Sequence, residues 1–468
     1  MSEFAYTPAT ELLESIRARR LSPVELTQAV LERAERLQRS LHAFLTLDGE
    51  QALAAARAAE AAVMRGDDLG PLHGLPVSVK DLEQTAGLRT TYGSKFFEHN
   101  VPDTDGAVAG RLRAAGAVLF GKTNTPHFGH KDMSDNLLMA PSRNPWHLER
   151  TPGGSSGGAA AAIAAGIGPL AHGSDGAGSI RIPAALCGVF GLKPSFGRVP
   201  YWPNQDFWAA RSHNGPLTRT VRDAALLLNV MAGPDPRDPL SLDGPPTDYV
   251  AACDGDLRRL HVAWSVDFGY APVDQEVRRL TRAAAARFAE LGCTVDEVTP
   301  GWENPAPWAA LLWDYATYIR NADRYADHPD WFEPSMAEQI ERGRAASAAE
   351  LGTALLARTV FYEQARAFME PFDLLLTPQM PCGAWSVDEP PALIDGSPTP
   401  MLFDRLSFTY PFNATGWPAA SVPCGFTSEG LPVALQIVAP WHQDARCLRA
   451  AAAFESIQPW AQHQPKLS

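Results

Sequence analysis

Cysteine and metal-binding motifs are scarce in this chain of 468 residues. Its six cysteines include no C-x-x-C pair and no cluster, which argues against a disulfide scaffold or a zinc ribbon and favours small buried side chains. None of the 12 histidines lies in an H-E-x-x-H motif. His127 and His130 stand in HFGH without a third ligand pattern, and we interpret them as hydrogen-bonded loop residues. We expect no metal and no other cofactor.

The chain also lacks an excess of basic residues and a long apolar run. Its 40 Lys and Arg face 53 Asp and Glu, a formal net charge of −13, which argues against nucleic-acid partners and against an anionic membrane surface. The longest stretch of low polarity, residues 157–171, is shorter than the roughly 20 apolar residues of a membrane span. The first 20 residues lack the apolar segment of a signal peptide. We expect a cytoplasmic protein.

Strand and helix patterns alternate along most of the chain. Three helical segments are predicted before residue 70. After them LPVSVKD, AVLFGKT and CGVFGLK predict strands between helical segments, and RRLHVAWSVD and CTVDEVT continue the alternation. This order predicts an α/β fold: a mixed, mostly parallel twisted sheet covered by helices on both faces. With no break in composition we expect one large domain. It has a helical N-terminal layer (1–70), a core that carries the motifs (71–230) and a variable half (231–468).

Two familiar motifs occur in an unfavourable context. Residues 116–123, GAVLFGKT, match the P-loop pattern, but Ala-Val-Leu-Phe stands where a flexible phosphate loop is needed. We interpret this segment as a core strand with Lys122 at its exit. GGSSG matches the nucleophile elbow G-x-S-x-G with Ser155 or Ser156 at its centre. The polar, proline-ended RNPWHLERTP precedes it in place of a strand, and the downstream histidines have no distinguishing context.

Lys80 ends the apolar strand pattern of GLPVSVKD. A lysine in such a strand usually extends to water or pairs with a carboxylate. Alternatively it is desolvated, which disfavours the ammonium form, and it can then deprotonate a serine near neutral pH without a histidine. Both interpretations remain open on the residues alone.

Three motifs follow one another in a fixed order: GLPVSVKD, TPGGSSGG, and GSDGAGSIRIPA with GVFGLKPS after it. Together they closely resemble the amidase signature family of serine hydrolases, densely over residues 71–197 and weakly through GPLTRTVRDAALLLNVMAG and GWPAASVPCG. The resemblance implies a basic lysine at Lys80, a bridging serine after a cis peptide bond at Ser155, and a nucleophile at Ser179. It also implies an oxyanion hole formed by the backbone of Gly176, Ala177 and Gly178.

The residues around the implied nucleophile suit this chemistry. Glycine lets the backbone approach a substrate closely, and a tetrahedral intermediate needs several converging N–H groups. We interpret Ser156, Asp175 and Arg181 as support for the loop. The chain departs from the family in two places: many members carry Ile-Gly or Thr-Gly where Gly-Ala stands at 176–177, and glutaminase subunits of tRNA-dependent amidotransferases usually carry Gln where Ile182 stands.

The resemblance implies an amidohydrolase that forms an acyl-enzyme on Ser179 and cleaves amide C–N bonds, with esters and carbamates as further candidates. Its expected partners are a small-molecule amide and water, and its expected state is a monomer or homodimer. The alternative is a glutaminase-type subunit of a tRNA-dependent amidotransferase; a non-catalytic binding protein would lack one of the three catalytic positions. Phe128 and Met133, together with WENPAPWAALLWDYATYIR and PDWFEP, predict a roomy apolar pocket, although such residues more often form core. No site arginine besides Arg181 is identified, which argues against a small dicarboxylate.

Overall fold

The computed structural model describes residues 4–204 and 212–467. Within them, the strands are β1 (Phe44–Leu47), β2 (Pro76–Lys80), β3 (Val118–Thr123), β4 (Leu170–Asp175), β5 (Phe190–Lys193), β6 (His213–Thr218), β7 (His261–Trp264), β8 (Thr294–Glu297), β9 (Leu374–Pro378), β10 (Leu393–Ile394), β11 (Ser397–Pro398), β12 (Ala419–Phe426) and β13 (Pro432–Val438). Eleven strands form one sheet in the order β1-β3-β2-β4-β6-β5-β12-β13-β9-β7-β8, and β10 pairs with β11 in a small hairpin.

The helices surround this sheet. They are α1 (Ala9–Arg17), α2 (Pro23–Leu41), α3 (Gly49–Arg65), α4 (Ala107–Ala114), α5 (Gly157–Ala164), α6 (Arg181–Cys187), α7 (Val221–Met231), α8 (Tyr249–Ala252), α9 (Gln275–Ala286), α10 (Ala306–Asp327), α11 (Pro334–Ala345), α12 (Ala348–Met369), α13 (Leu402–Arg405), α14 (Tyr410–Thr415) and α15 (Asp444–Ile457). Short 3₁₀ turns lie at Lys95–Phe97, His127–Gly129, Arg287–Ala289 and Pro329–Trp331. Among the described residues, none of the helices combines the length and the apolar character that crossing a bilayer requires.

The sheet is mixed, and its strand directions place the functional motifs. Strands β3, β2 and β4 pair in parallel on one flank, as do β9, β7 and β8 on the other, and the strands between them are antiparallel. Every residue of β2, β3, β4, β9 and β13 is buried; because alternate side chains point to opposite faces, both faces of the sheet are covered. The prediction of one α/β domain with a mixed sheet is confirmed.

The N-terminal layer is helical with one exception. Helix α2 is capped by Ser22, whose Oγ accepts hydrogen bonds from the N–H groups of Val24 and Glu25. Residues 44–47 were included in the helical layer, yet they form β1, which pairs antiparallel with β3. The reason is tertiary: this four-residue apolar segment covers the free edge of β3.

The P-loop-like segment is a buried core strand, β3, as interpreted. Lys122 is fully enclosed. Its Nζ donates to Thr85 Oγ1 at 2.8 Å, to Thr90 Oγ1 at 3.1 Å and to the carbonyl of Glu83. Three protein acceptors therefore match the three N–H donors of the ammonium.

The parallel flank positions the site. Parallel strands end at the same edge of a sheet, and the carboxyl ends of β2 and β4 are Lys80 and Asp175. The small-residue helix α5 follows the GGSSGG segment and is buried along its whole length. A Cβ on Gly158 would lie 2.4 Å from the carbonyl oxygen of Ala43, so only glycine allows this helix to start so close to its neighbours.

Candidate active site

Lys80 lies at the end of β2 and is fully buried. Its Nζ donates to Ser155 Oγ at 2.7 Å and to the carbonyl of Ser174 at 3.2 Å. Burial lowers the pKa of Lys80 to about 7, against the opposing effect of the nearby Asp175 carboxylate. Of the two interpretations left open, the structure therefore matches the desolvated lysine.

The GGSSGG segment turns into α5 directly beside this lysine. The peptide bond between Gly154 and Ser155 is cis. Ser156 ties the segment to the next motif: its N–H donates to the carbonyl of Ser179 at 3.1 Å, and its Oγ donates to the carbonyl of Ser174 at 3.2 Å. Ser155 thus contacts the lysine, and its neighbour contacts the implied nucleophile.

Ser179 precedes α6 and is 7% exposed. It lines one cavity of about 410 Å³ together with Ser155, Ser174 and Gly176. The structure therefore brings the two implied catalytic serines to one cavity, with Lys80 buried behind them. Ser174, the other serine of the glycine-rich loop, supplies its carbonyl to Lys80.

Asp175 and Arg181 form a bidentate, fully buried ion pair across the glycine-rich loop, with Nε–Oδ2 at 2.9 Å and Nη2–Oδ1 at 3.0 Å. Although burial opposes it, the Arg181 guanidinium holds the pKa of Asp175 well below its usual range. Arg181 also donates to Gln436 Oε1 at 2.8 Å and to Asn413 Oδ1 at 2.7 Å. Both side chains are fully buried, and the Nε, Nη1 and Nη2 atoms of Arg181 all donate hydrogen bonds, which suits a brace rather than a reacting group.

The peptide between Ala177 and Gly178 is held from both sides. Its carbonyl accepts from Thr409 Oγ1 at 2.6 Å, and its N–H donates to Asp175 Oδ1 at 2.7 Å. Gly178 was expected to contribute a free N–H to the oxyanion hole, but Asp175 occupies that N–H. Glycine is required here for another reason: its φ is +129°, and a Cβ would lie 2.6 Å from Thr409.

Ala177, the unusual residue of this loop, belongs to a buried apolar cluster that includes Met133, Ile182 and Tyr410. Its methyl group therefore fills protein interior. Met133 lies in the same cluster, with its backbone against Gly154. It was predicted to line the cavity, but it does not. Phe128, the other predicted pocket residue, does line it.

Aromatic rings form much of the cavity wall. Besides Phe128, the rings among the described residues are those of Tyr92, Phe97, Tyr201 and Trp313. Helix α10 contributes one face to the wall, made of Trp313, Thr317, Arg320, Asn321 and Arg324. The aromatic segment 302–320, which forms the first part of α10, was expected at the pocket, but Arg320 and Arg324 were not identified. Arg320 and Arg324 follow Trp313 by 7 and 11 residues, which places all three side chains on one face of the helix. This spacing in the sequence could have identified the two arginines as pocket residues.

Two further titratable groups line the cavity and were not predicted as pocket residues. The carboxyl group of Glu83 accepts from the N–H groups of Val108 and Ala109 at the start of α4, and burial raises its pKa to about 7. His130 bonds to the carbonyl of His127 and to Ser335 Oγ, both at 2.9 Å, and burial lowers its pKa to about 3. Both loop histidines are hydrogen-bonded as interpreted, since His127 Nδ1 lies 3.0 Å from Glu333 Oε2.

Comparison with known proteins places the chain in a family. Residues 25–448 match the model of the Amidase family. The chain is 42% identical over 469 residues to an acylamidase from Rhodococcus erythropolis, covering 98% of this chain and 96% of that one. It is 38% identical over 490 residues to a glutamyl-tRNA(Gln) amidotransferase subunit from Moorella thermoacetica, covering 99% of each. The solved structure of a bacterial aryl acylamidase of the amidase signature family matches with a TM-score of 0.93 at 31% identity, covering 98% of each chain. The chain therefore belongs to the amidase signature family and is a hydrolase that acts on amides.

Proposed function

We propose that this protein is a stand-alone acylamidase in which Ser179 is the nucleophile, Ser155 the proton relay and Lys80 the base. The observation that carries the proposal is the 2.7 Å contact between Nζ of the fully buried Lys80 and Oγ of Ser155. With its pKa lowered to about 7, Lys80 is largely neutral just above neutral pH and has a lone pair for a proton.

Acylation begins when Ser179 Oγ attacks the amide carbon. Its proton passes to Ser155, and the proton of Ser155 passes to Lys80. The carbonyl oxygen becomes an oxyanion, for which the N–H groups of Gly176 and Ala177 are the proposed donors; removing one such donor typically costs about 2.7–4 kcal/mol of transition-state stabilisation. The C–N bond then breaks, and the leaving amine takes a proton from Lys80 through Ser155.

Deacylation repeats these steps with water. Lys80, neutral again, takes a proton from the attacking water through Ser155. The second tetrahedral intermediate collapses, the bond between acyl carbon and Ser179 Oγ breaks, and Ser179 recovers its proton. The products are a carboxylic acid and an amine, and on the enzyme no group besides the three side chains needs to accept a proton.

Covalent labelling with a fluorophosphonate tests the assignment of the nucleophile. We expect one adduct per chain by intact mass, located on Ser179 by peptide mapping, because only an activated serine displaces fluoride from the probe. An adduct on Ser155 or Ser174 would reassign the nucleophile, and no adduct at all would remove the serine mechanism.

Ser155→Ala is expected to lower kcat for an anilide by about 10³-fold with little change in KM, because general acid–base transfer typically contributes 10²–10⁴-fold. Steady-state kinetics with acetanilide measures this. The matched control is Ser78→Ala on β2, since Ser78 Oγ is also buried but has no hydrogen-bond partner among the described residues. Equal losses in the two variants would show that the relay assignment is wrong.

Thr409→Val is expected to lower kcat about tenfold and to leave KM nearly unchanged. The variant loses the hydrogen bond to the Ala177 carbonyl, and a net loss of about 1.4 kcal/mol from one such bond corresponds to a factor of ten. Thr409→Ser keeps the hydroxyl and should restore kcat. A change confined to KM, or no rescue by serine, would contradict this positioning role.

The proposed substrates are amides with an aromatic or apolar group, in keeping with the rings of the cavity wall and with the acylamidase relatives. The resemblance to amidotransferase subunits raises a second candidate. Position 182 argues against it, because Ile182 lies in the buried apolar cluster with Ala177 and has no polar group to offer a glutamine amide. Anilide hydrolysis by the purified chain alone supports the acylamidase; activity that appears only after adding amidotransferase partners would support the second candidate.

A further inference from the structure

Arg324 lies on the cavity face of α10 with its guanidinium over two aromatic rings. The guanidinium carbon is 5.5 Å from the ring centre of Phe97 and 5.7 Å from that of Phe128. The side chain is half-buried, and its Nη1 donates to the carbonyl of Arg320 at 3.2 Å. Phe97, Phe128 and Arg324 all line the cavity that contains Ser155 and Ser179.

Arg324 forms no ion pair with another described residue, although this chain is rich in acidic groups. On the next helix, Arg342 pairs with Asp314 at 2.6 Å and Arg344 with Glu341 at 2.5 Å. The carboxyl group in the cavity wall, Glu83, is held at the start of α4. Arg324 therefore places a positive charge in the cavity wall that no described carboxylate neutralises.

This arrangement suits one kind of ligand group. The N–H groups of a planar guanidinium match a carboxylate in a bidentate manner, and a guanidinium held over aromatic rings keeps such donors for a ligand. The two phenylalanine rings supply apolar surface for an aromatic ring next to that carboxylate. Because the side chain is half-buried, such a charge-assisted hydrogen bond is stronger there than at a fully exposed surface.

We propose that Arg324 is an anion-recognition residue of the substrate cavity, and that the favoured substrates are amides with an aromatic ring that bears a carboxylate remote from the scissile bond, such as N-acyl aminobenzoates. This rests on the proposed acylamidase function. It also amends the expectation of an apolar pocket without a site arginine besides Arg181, because Arg324 adds a charge to the cavity wall.

The test separates binding from turnover by using the Ser179→Ala protein, which retains the cavity. Isothermal titration with 4-acetamidobenzoate is expected to show binding that weakens at least tenfold in Ser179→Ala/Arg324→Met. It should weaken less in Ser179→Ala/Arg324→Lys, where the charge remains but the bidentate geometry is lost. The affinity should also fall as salt is raised. No detectable binding to Ser179→Ala, or equal affinity in the methionine variant, overturns the proposal.

Kinetics on the otherwise wild-type protein supply the second readout. The ratio of kcat/KM for 4-acetamidobenzoate to that for acetanilide should fall at least tenfold in Arg324→Met and stay at the wild-type value in the control Arg344→Met, whose arginine is on the surface. If both substrates lose activity equally, Arg324 only packs against the rings and the proposal fails, while the acylamidase function stands. If wild type hydrolyses neither substrate, the acylamidase function fails, and the titration still decides the anion site.

Discussion

Ser179→Ala is expected to reduce kcat/KM for acetanilide and other anilides by at least about 10⁴-fold, since loss of the nucleophile in a serine hydrolase removes nearly all of the rate enhancement that its catalytic side chains supply together. The substitution removes one oxygen from a residue that is 7% exposed at the cavity wall, so the fold should persist. Rates are measured with purified protein by following the released amine, and circular dichroism checks the fold.

The control for this result is the other serine of the same loop. Ser174 lines the same cavity, yet its contact with Lys80 is made by its carbonyl, which Ser174→Ala keeps. We expect Ser174→Ala to lose less than about tenfold, since at most one neutral hydrogen bond is affected. A loss in Ser174→Ala that matches the loss in Ser179→Ala would mean that the nucleophile has been assigned to the wrong serine. Anilide hydrolysis by Ser179→Ala at the wild-type rate would refute the mechanism.

The parts of the site that could be predicted are those whose geometry is encoded locally. An apolar strand pattern that ends at Lys80 places this residue at the carboxyl end of β2. Glycine-rich turns before two helices place Ser155 and Ser179 at the starts of α5 and α6. The motif order then implied which serine reacts. By contrast, the choice between an exposed and a desolvated lysine depended on what covers β2. The elements that cover β2 are distant from it in sequence, so the strand pattern alone could not decide whether Lys80 is exposed or desolvated.

The parts that could not be predicted depend on tertiary packing. A four-residue apolar segment became β1 because β3 offers it a free edge. The N–H of Gly178 is occupied because the Asp175 side chain folds back over its own loop. Arg324 enters the cavity because α10 turns that face toward Phe97 and Phe128, and helix periodicity identifies a face without identifying what the face meets.

Lys80→Met is expected to lower kcat/KM for anilides by about 10³-fold or more, because the side chain keeps much of its apolar volume but has no lone pair of comparable basicity for the proton of Ser155. The pH dependence makes this prediction specific. With its pKa lowered to about 7, Lys80 is protonated below neutral pH, so wild-type kcat/KM should rise roughly tenfold from pH 6 to a plateau above pH 8. Lys80→Met should lose this limb of the profile.

The same shift makes a prediction about stability that is independent of any substrate. The pKa of Lys80 is about 7 in the folded protein and 10.5 as its ordinary value, so between these two pH values the unfolded chain binds a proton that the folded protein does not. Unfolding free energy rises with pH wherever the unfolded state binds more protons. The penalty of burying Lys80 is therefore complete below pH 7 and is relieved as the pH approaches 10.5.

Wild type should consequently gain about 2 kcal/mol of unfolding free energy relative to Lys80→Met between pH 7 and pH 9, at most about 1.4 kcal/mol per pH unit. Urea unfolding of both proteins at the two pH values measures the difference, and all other titrating groups cancel in the comparison. Ser78→Ala, on the same strand, keeps Lys80, so its difference in unfolding free energy from wild type should not change with pH. If the difference in unfolding free energy between wild type and Lys80→Met did not change with pH, Lys80 would have an ordinary pKa. Ser155 would then lack a base, even if the lysine were essential for activity.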